Sequence, residues 1–383
     1  MKKTPKKFIM LLLALACACL CGCGLVQHRQ IISEPPVFSS GVTAPTELAE
    51  EISVAGMSYD QITALESHTW LKKVITEGSC EYDAFMYLKE ALPECEIGWN
   101  YSFDGTQYSD GVTELTVHTT DGLAEALHCL PEVRKVDMTS FSPDTDVLDS
   151  LIAAYPDVEF LFYVHFGEWT VRSDITCFST LRPSFSYEAA RYTSADLYPL
   201  FKYCKHLKAL DCGHNYLDDL SELGTLTELQ VLILADNRNI TDISPLGNLV
   251  NLEYIELFLN NNTFDMSIFR NMTKMRDLNL SYLYAFRDIS FIDSMPELEM
   301  FWCKGNPVSA ASIKEYTAKY PNVNFHFSCD LTSSTCHGWR TGEDNLAVRK
   351  AFRNWWSVNE FRSIDDVEYD PYDELYIPEP ENY

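Results

Sequence analysis

The chain has 383 residues, of which 56 are acidic and 29 are basic, and its formal net charge is −27 at pH 7. Nucleic acid and anionic membrane surfaces both attract cationic proteins, so this balance argues against either as a ligand. Strong self-repulsion keeps a protein soluble, and it suits a protein that works outside the cell.

The first residues predict export. Four lysines precede an apolar run from Phe8 to Leu20, which is shorter than the roughly 20 residues that a transmembrane helix needs. We therefore interpret residues 1–22 as a cleaved signal peptide.

The end of this apolar run contains a short cysteine motif. Leu20-Cys21-Gly22-Cys23 resembles a bacterial lipobox, in which the last cysteine becomes the lipidated first residue of the mature chain. The resemblance implies a lipid on Cys23 that anchors the protein at the extracellular face of the cell membrane. Cys17 is a second candidate for the lipid, and a plain secretory signal is the alternative.

The next part of the chain divides into a tether and irregular repeats. Residues 23–58 contain proline, serine and glycine without a hydrophobic period, which predicts a flexible tether. Residues 59–206 predict irregular units of strand and helix, with helices at Tyr82–Ala91 and Val147–Ala154. The motif that ends the second helix, Tyr155-Pro156-Asp157-Val158, recurs at 320–323 after a predicted helix at 311–319.

Five copies of one leucine-rich pattern occupy residues 207–308. They begin 22 or 23 residues apart, at Leu207, Leu229, Leu252, Met275 and Leu298. A period of this length predicts a leucine-rich repeat solenoid whose parallel strands line a concave face. Burial of each inward leucine, isoleucine or valine contributes roughly 1.5–3 kcal/mol, so the repeats offset their ordering entropy only when stacked. Four copies carry an asparagine at the turn, and Leu283 replaces it in the fourth.

One of these repeats points to a known group of proteins. The segment from Asn237 to Leu249 resembles the 22-residue, internalin-like repeats of bacterial surface proteins. The resemblance implies short 3₁₀ turns on the convex side, and a cell-surface protein that binds another protein or a glycan. The predicted fold class is α/β: a leucine-rich repeat solenoid with parallel strands on the concave face, irregular helix-containing N-terminal repeats and a helical C-terminal cap.

The concave face of residues 207–327, the leucine-rich repeats and the last repeat unit, is the predicted binding surface. Aromatic, acidic and amide side chains occupy its outward strand positions. We predict that the ligand-binding residues are Tyr254, Glu256, Phe258, Asn279, Tyr282 and Trp302. Exposed aromatic patches mark interfaces, and tyrosine and tryptophan are favoured there. The alternative is that a folded-back loop or the C-terminal segment covers the patch and makes it core.

The C-terminal part contains an amphipathic segment and an acidic tail. Residues 328–364 predict a cap, in which the apolar spacing of residues 344–364 indicates a helix that seals the open end of the solenoid. A basic amphipathic helix on a membrane surface is the alternative. Residues 365–383 hold eight acidic and no basic residues, which predicts a disordered or loosely packed tail.

Thirteen cysteines raise the question of disulfides and metal sites. Cys329 and Cys336 flank a short polar loop and are the best disulfide candidates in an oxidising exterior, ahead of Cys80 with Cys95. The cysteines could equally stay reduced. We find no metal-binding motif and no phosphate-binding loop, so we expect neither a metal nor a cofactor.

The predicted function is non-catalytic: recognition of a protein or a glycan at the cell exterior through the concave sheet. Two alternatives stay open. One is a structural lipoprotein without a dedicated ligand, which a covered patch would favour. The other is a surface hydrolase with its site around Trp99–Tyr108 and Glu168–Thr176, which needs a cleft with convergent carboxylates.

Overall fold

Short strands and their connections make up the fold. The structure, a computed structural model, describes residues 50–54, 56–75, 81–180, 191–260, 262–327, 339, 342–353, 355 and 361–367. These residues belong to one unit that begins at Glu50. The strands, in chain order, are β1 (Glu51–Ser53), β2 (Lys73–Ile75), β3 (Glu96–Gly98), β4 (Asn100–Phe103), β5 (Thr106–Ser109), β6 (Glu114–Thr116), β7 (Lys135–Asp137), β8 (Glu159–Leu161), β9 (Tyr163–Phe166), β10 (Trp169–Arg172), β11 (Cys177–Ser179), β12 (Ala209–Asp211), β13 (Val231–Ile233), β14 (Tyr254–Glu256), β15 (Asp277–Asn279), β16 (Met300–Trp302) and β17 (Asn324–His326).

Helices and 3₁₀ turns connect these strands. The helices are α1 (Tyr59–Thr63), α2 (Tyr82–Ala91), α3 (Leu123–Cys129), α4 (Thr145–Ala154), α5 (Ser194–Tyr203), α6 (Ala310–Lys319) and α7 (Glu343–Arg353). The 3₁₀ turns are Ala64–Ser67, Leu223–Thr225, Ser244–Asn248, Met266–Asn271 and Ser290–Ser294.

A seven-stranded parallel sheet contains the predicted repeats. Strands β11 to β17 follow one another in chain order across this sheet. The central residue of each repeat strand lies beside its counterparts and is fully buried in the leucine core. These residues are Leu210, Leu232, Ile255, Leu278 and Phe301. The predicted leucine-rich repeat solenoid is confirmed, and the sheet begins one strand before the first predicted repeat, at β11.

The return paths of the compact repeats are 3₁₀ turns, as the resemblance implied. A repeat of 22 or 23 residues has little room for a long helix, whereas the longer units contain helices, of which α4 and α5 have side-chain caps. The Asp144 side chain, for example, accepts hydrogen bonds from two backbone N–H groups at the start of α4. The 3₁₀ turns of neighbouring repeats approach closely: a Cβ on Gly224 would lie 2.6 Å from the Pro245 carbonyl oxygen. Only glycine therefore fits at this contact.

Asparagines at the turns form a buried ladder between repeats. The Asn237 Nδ2 donates to the carbonyl oxygens of Cys212 and Leu234, at 2.8 and 3.1 Å. Its Oδ1 accepts from the backbone N–H of Leu217, at 3.1 Å. The Asn260 side chain repeats this pattern one repeat later, because its Nδ2 donates to Leu234 as well as to Leu257. Each rung therefore bonds its own repeat and the repeat before it.

The residue before each ladder position adopts a left-handed backbone conformation. The residues are His214, Asp236, Leu259, Tyr282 and Gly305, with φ between 55° and 72°. The first four donate their backbone N–H to a carbonyl of the following repeat, for example Tyr282 to Lys304 at 2.6 Å. The turn that contains Leu283 keeps this geometry. Replacement of the ladder asparagine therefore leaves the turn regular.

The N-terminal half contains a duplication. Strands β1–β3 form one parallel sheet and β6–β8 form another, and each sheet is followed by an antiparallel hairpin, β4–β5 or β9–β10. Helix α2 begins at residue 82 and α4 at residue 145, 63 residues later. The same offset relates β3 to β8, β4 to β9, β5 to β10 and β6 to β11. Residues 82–117 and 145–180 are thus two copies of one unit, aligned without a gap.

Several predicted boundaries differ from the structure. Residues 50–58, assigned to the tether, include β1 and the buried Val54. At the other end, residues 365–367 of the predicted tail are described, and Asp365 forms an ion pair with Arg276. The signal peptide, residues 1–22, lies outside the described residues. Among the described helices, none has the length and apolarity that crossing a bilayer requires.

Candidate functional site

The concave face, the side of the seven-stranded sheet opposite the leucine core, is covered by the C-terminal segment. We define the C-terminal strap as α7 and residues 361–367. Buried apolar side chains of the strap pack against buried residues of the sheet in a cluster separate from the leucine core. On the strap these are Ala347, Val348, Ala351, Phe352, Phe361 and Ile364, and on the sheet they are Cys177, Ala209, Val231, Tyr254 and Trp302. The predicted helix exists, but it crosses the concave face instead of sealing the end of the solenoid.

The strap follows a path out and back across the strands. Near the start of α7 the Asn345 Nδ2 donates to the Tyr254 hydroxyl on β14, at 2.7 Å. Near its end the carbonyl oxygen of Ala351 lies 4.0 Å from the Cys177 Sγ on β11. Helix α7 has 11 residues and is about 16 Å long, while three strand spacings amount to about 14 Å. The helix is therefore long enough to cross from β14 to β11.

Arg276 holds both ends of the strap. Its guanidinium lies 3.2 Å from Asp344 at the start of α7 and 2.9 Å from Asp365 in the returning segment. Glu253 and Glu299, on the neighbouring repeats, lie 3.8 and 3.4 Å away. Burial opposes the charge, but these carboxylates together hold the pKa of Arg276 above its usual value. Such a shared, half-buried cation is a stronger tie than an isolated surface pair.

Acidic side chains lie beneath the strap. Burial raises the pKa of Asp211 to about 6, although the Gly213 N–H and the Ser179 hydroxyl both donate to its carboxylate. Burial also raises the pKa of Asp277, and a hydrogen bond with Asp344 of the strap raises it further. Cover by the strap therefore favours the protonated form of both carboxyl groups.

The cover overturns the expected exposure of the predicted patch. Tyr254 and Trp302 are 0% and 2% exposed, and Glu256 and Asn279 are 8% and 5% exposed. The physical reason is that the strand positions beside them are also apolar, and apolar sheet surface is stabilised by a covering helix. The Tyr254 hydroxyl donates to the Glu256 carboxylate under this cover.

Two predicted residues, Phe258 and Tyr282, remain half-exposed at the edge of the sheet. With Leu259 and Tyr284 they form what we call the edge patch, on the turns that follow β14 and β15. Tyr284 is 61% exposed, and its ring centroid lies 6.1 Å from that of Tyr282. A Cβ on Gly305 would come within 2.7 Å of the Tyr282 ring, so the ring lies against the next turn.

The predicted hydrolase region consists of the two hairpins. Trp99 is buried, and its Nε1 donates to the Cys129 carbonyl oxygen at 2.6 Å. The Asp104 carboxylate accepts from the His118 backbone N–H, which lowers the pKa of Asp104. The Glu168 carboxylate accepts from the Tyr192 hydroxyl at 3.0 Å. Each of these carboxylates is thus held by a different structural partner.

The remaining predicted sites concern cysteines and metals. Cys23, Cys329 and Cys336 lie outside the described residues. Free, buried thiols are found at Cys95, Cys177, Cys204, Cys212 and Cys303. In the described part of the chain, no group of three or more histidine, cysteine, aspartate or glutamate side chains is placed to hold a metal ion.

In fold, the chain is similar to internalins. Internalin C2 of Listeria monocytogenes is 23% identical, with a TM-score of 0.29, over 57% of this chain and 76% of that one. Internalin F of the same species is 15% identical, with a TM-score of 0.28, over 74% of this chain and 83% of that one. A leucine-rich repeat protein of Leptospira interrogans is 12% identical, with a TM-score of 0.28, over 69% of this chain and 74% of that one. No family model and no curated protein sequence matches the chain.

The sequence analysis favoured an exposed patch and gave cover by the C-terminal segment only as the alternative, although a signal for the cover was present. Outward-facing positions of β11 to β13 carry Cys177, Ala209, Val231 and Ile233. A concave face that binds a polar or mixed ligand in water would carry polar residues at these positions. Three apolar residues in register, Cys177, Ala209 and Val231, with Ile233 next to them on β13, instead indicate a face that is packed against another element.

Proposed function

We propose that this protein is a non-catalytic binding protein of the cell exterior that recognises a protein or a glycan through the edge patch. The observation that supports this proposal is the backbone of Leu259, Tyr282 and Tyr284, whose φ values are 64°, 58° and 58°. Large side chains rarely adopt this conformation, which costs roughly 1–2 kcal/mol relative to the usual helical one. At the equivalent turn of the fifth repeat the residue is Gly305.

The fold therefore accepts glycine at this turn position, whereas the large side chains of Leu259 and Tyr282 destabilise the backbone conformation there. Such outliers cluster at functional sites. Half-exposed tyrosines supply large contact area with little loss of side-chain entropy, and they are favoured in binding hot spots. The edge patch thus keeps the predicted roles of Phe258 and Tyr282 and adds Leu259 and Tyr284.

A double substitution tests the edge patch. The mature chain is screened against a glycan array and a panel of extracellular proteins, alongside Tyr282→Asn/Tyr284→Asn, because asparagine tolerates the left-handed conformation. We expect at least tenfold weaker binding with an unchanged or higher melting temperature. Tyr198→Ala, which removes a 45% exposed tyrosine from α5, is the matched control. A ligand that binds the double variant and the wild type equally would contradict the proposal.

The proposed location is the extracellular face of the cell membrane, through a lipid on Cys23. The support is the lipobox resemblance of residues 20–23 together with the basic, apolar leader. Treatment of the producing bacterium with globomycin, or Cys23→Ala, should stall maturation or release the protein from the membrane. Normal processing and retention of Cys23→Ala would count against this anchor.

A second candidate function is a structural lipoprotein without a dedicated ligand. The observation that favours it is the burial of Tyr254 and Trp302, since a covered patch offers no ready binding surface. The same screen separates the two candidates. Absence of any ligand for the wild type, with the lipid anchor intact, would favour the structural role.

A further inference from the structure

The interface between strap and sheet contains buried polar atoms without a hydrogen-bond partner. Within the described residues, these are the Nε1 of Trp302 on the sheet, the Oδ1 of Asn345 on the strap and the Nε1 of Trp339, which packs in the same cluster. Each such atom destabilises the covered state, because it has lost its hydrogen bond to water and gained none from the protein. Single atoms of the repeats, the Oε1 of Gln230 and the Oδ1 of Asn306, are in the same state, but in the interface three such atoms lie together. Opening of the strap would expose these three groups to water, which can hydrogen-bond to them.

The covered face is shaped for a helix. Helix α7 places Ala347 and Ala351 on the sheet, and these small residues let the helix approach closely. Val348 and Phe352 fill the space beside them. The face offers Tyr254 and Trp302 as buried aromatic contacts, which are the side chains that dominate binding interfaces.

The second half of α7 is opposite in charge to the acids of the sheet, whereas its first turn carries Glu343 and Asp344, and Asp344 pairs with Arg276. The sheet carries the acids Asp211, Glu256 and Asp277 beneath the strap. The second half of α7 carries Arg349, Lys350 and Arg353 and no acidic residue. An opened face would therefore present aromatic and acidic groups together, a combination that attracts a cationic and apolar segment.

We propose that α7 is a resident ligand: the strap opens as a unit, and the concave face then binds a basic amphipathic helix of another polypeptide in its place. The predicted roles of Tyr254, Glu256 and Trp302 in binding then apply to the opened state. This inference does not depend on the edge patch, which stays exposed whether the strap is docked or not.

The covalent connection between α7 and the sheet sets how strongly a partner helix must bind to replace α7. A helix joined to its own site by a short linker has an effective concentration in the millimolar range. The apparent dissociation constant for a free helix is the intrinsic constant divided by the fraction of molecules that are open. A partner therefore binds weakly to the wild type and much more tightly when the resident helix is loosened.

Two native thiols distinguish opening of the strap from unfolding. Cys177 is covered by α7, whereas Cys212 lies in the leucine core. Burial raises the pKa of both thiols, so neither reacts while covered. Timed alkylation of the full-length chain, followed by peptide mass spectrometry, reports both rates in one sample. We expect Cys177 to react at least tenfold faster than Cys212. Equal rates would mean that the strap opens only when the whole solenoid unfolds, which would overturn the proposal.

A substitution in the strap leaves the sheet intact and tests the binding step. Ala351→Glu places a charged side chain against Cys177, and we expect it to accelerate Cys177 alkylation at least tenfold without changing the rate at Cys212. Glu343→Gln, at an exposed position of the same helix, is the matched control. Acceleration at both thiols of Ala351→Glu would again show that strap and core open together.

The probe for the opened face is a fluorescent peptide with the sequence of residues 342–353. Its anisotropy should show at least tenfold tighter binding to Ala351→Glu than to the wild type. A second peptide, with Arg349, Lys350 and Arg353 changed to glutamate, should not bind. Equal affinity for both peptides, or no binding to a variant whose Cys177 is accessible, would refute the proposed helix-binding face.

Discussion

The asparagine ladder can be tested by removing one rung. We consider Asn237→Ala, because Asn237 is fully buried and its side chain makes three hydrogen bonds. Two of its partners keep a second donor: the Cys212 carbonyl oxygen accepts from Asn215 and the Leu234 carbonyl oxygen accepts from Asn260. The Leu217 N–H, in contrast, loses the acceptor that Asn237 provides.

The expected loss of stability follows from this unequal sharing. An orphaned buried N–H costs about 1–3 kcal/mol, and each of the two shared hydrogen bonds contributes roughly 0.5–1 kcal/mol. The free energy of unfolding of Asn237→Ala should therefore fall by about 2–5 kcal/mol. Asn251→Ala is the control, because the Asn251 side chain makes its hydrogen bonds at the exposed surface. We expect that substitution to change the free energy by less than about 1 kcal/mol.

The assay is urea unfolding, followed by circular dichroism and by tryptophan fluorescence and extrapolated linearly to water. Coincidence of the two transitions checks that unfolding is two-state. A loss below about 1 kcal/mol for Asn237→Ala would refute the reasoning, because it would mean that the Leu217 N–H had found another acceptor. A loss well above about 5 kcal/mol would show that the carbonyl groups are not shared as described.

Three further predictions follow from the covered face and from the hairpins. Trp302→Ala should lower the free energy of unfolding by about 3–5 kcal/mol, because the ring is buried and stacks on the ring of His326, with 4.0 Å between the centroids. Thermal melting of this variant and of Tyr284→Ala checks the prediction. Equal melting temperatures of the two variants would mean that Trp302 belongs to an exposed patch after all. The free energy of unfolding should fall as the pH rises above about 4, because the unfolded state loses the protons of Asp211 and Asp277 at a lower pH than the folded state does. The fall should extend through about pH 6 for Asp211 and to higher pH for Asp277. Urea unfolding at several pH values should show a weaker pH dependence for Asp277→Asn, and a rise of stability with pH would contradict the prediction. Cys329 and Cys336 should form a disulfide. When the motif at 320–323 is aligned with its copy at 155–158, the two cysteines align without a gap with Val164 and Val171, which face each other across β9 and β10. Non-reducing peptide mapping should find the linked pair, and alkylation of both thiols without a reductant would argue against it.

The sequence predicted the local parts of the fold well. The bounds of α2 agree with the prediction, and the strand centres of the repeats lie where the leucine spacing put them. The asparagines form the ladder that their spacing indicated. These features depend on contacts within one repeat or between neighbours, and such contacts leave a period in the sequence.

The long-range parts were predicted less well, because the sequence analysis favoured an exposed patch and named cover by the C-terminal segment only as an alternative. The strap contacts a strand more than 170 residues away, at Cys177, and no period marks such a contact. The hairpin β4–β5 was missed because its strands have four residues each and alternate weakly. For the candidate site the lesson is specific: Tyr254 and Trp302 were correctly placed on the concave face, but exposure depends on what else packs there.

The duplication in the N-terminal half means that this chain can be shortened in register. Because residues 82–117 and 145–180 carry the same elements at a constant offset, excision of residues 83–145 would join one helix start to its equivalent. The shortened chain would lose one three-stranded sheet and one hairpin, and each remaining strand would keep its distance from the helix before it. Because the offset is constant, a third copy of the 63-residue unit could also be inserted at the same junction. The length of the protein can then change in whole units, each of which is added or removed without a shift of the other elements.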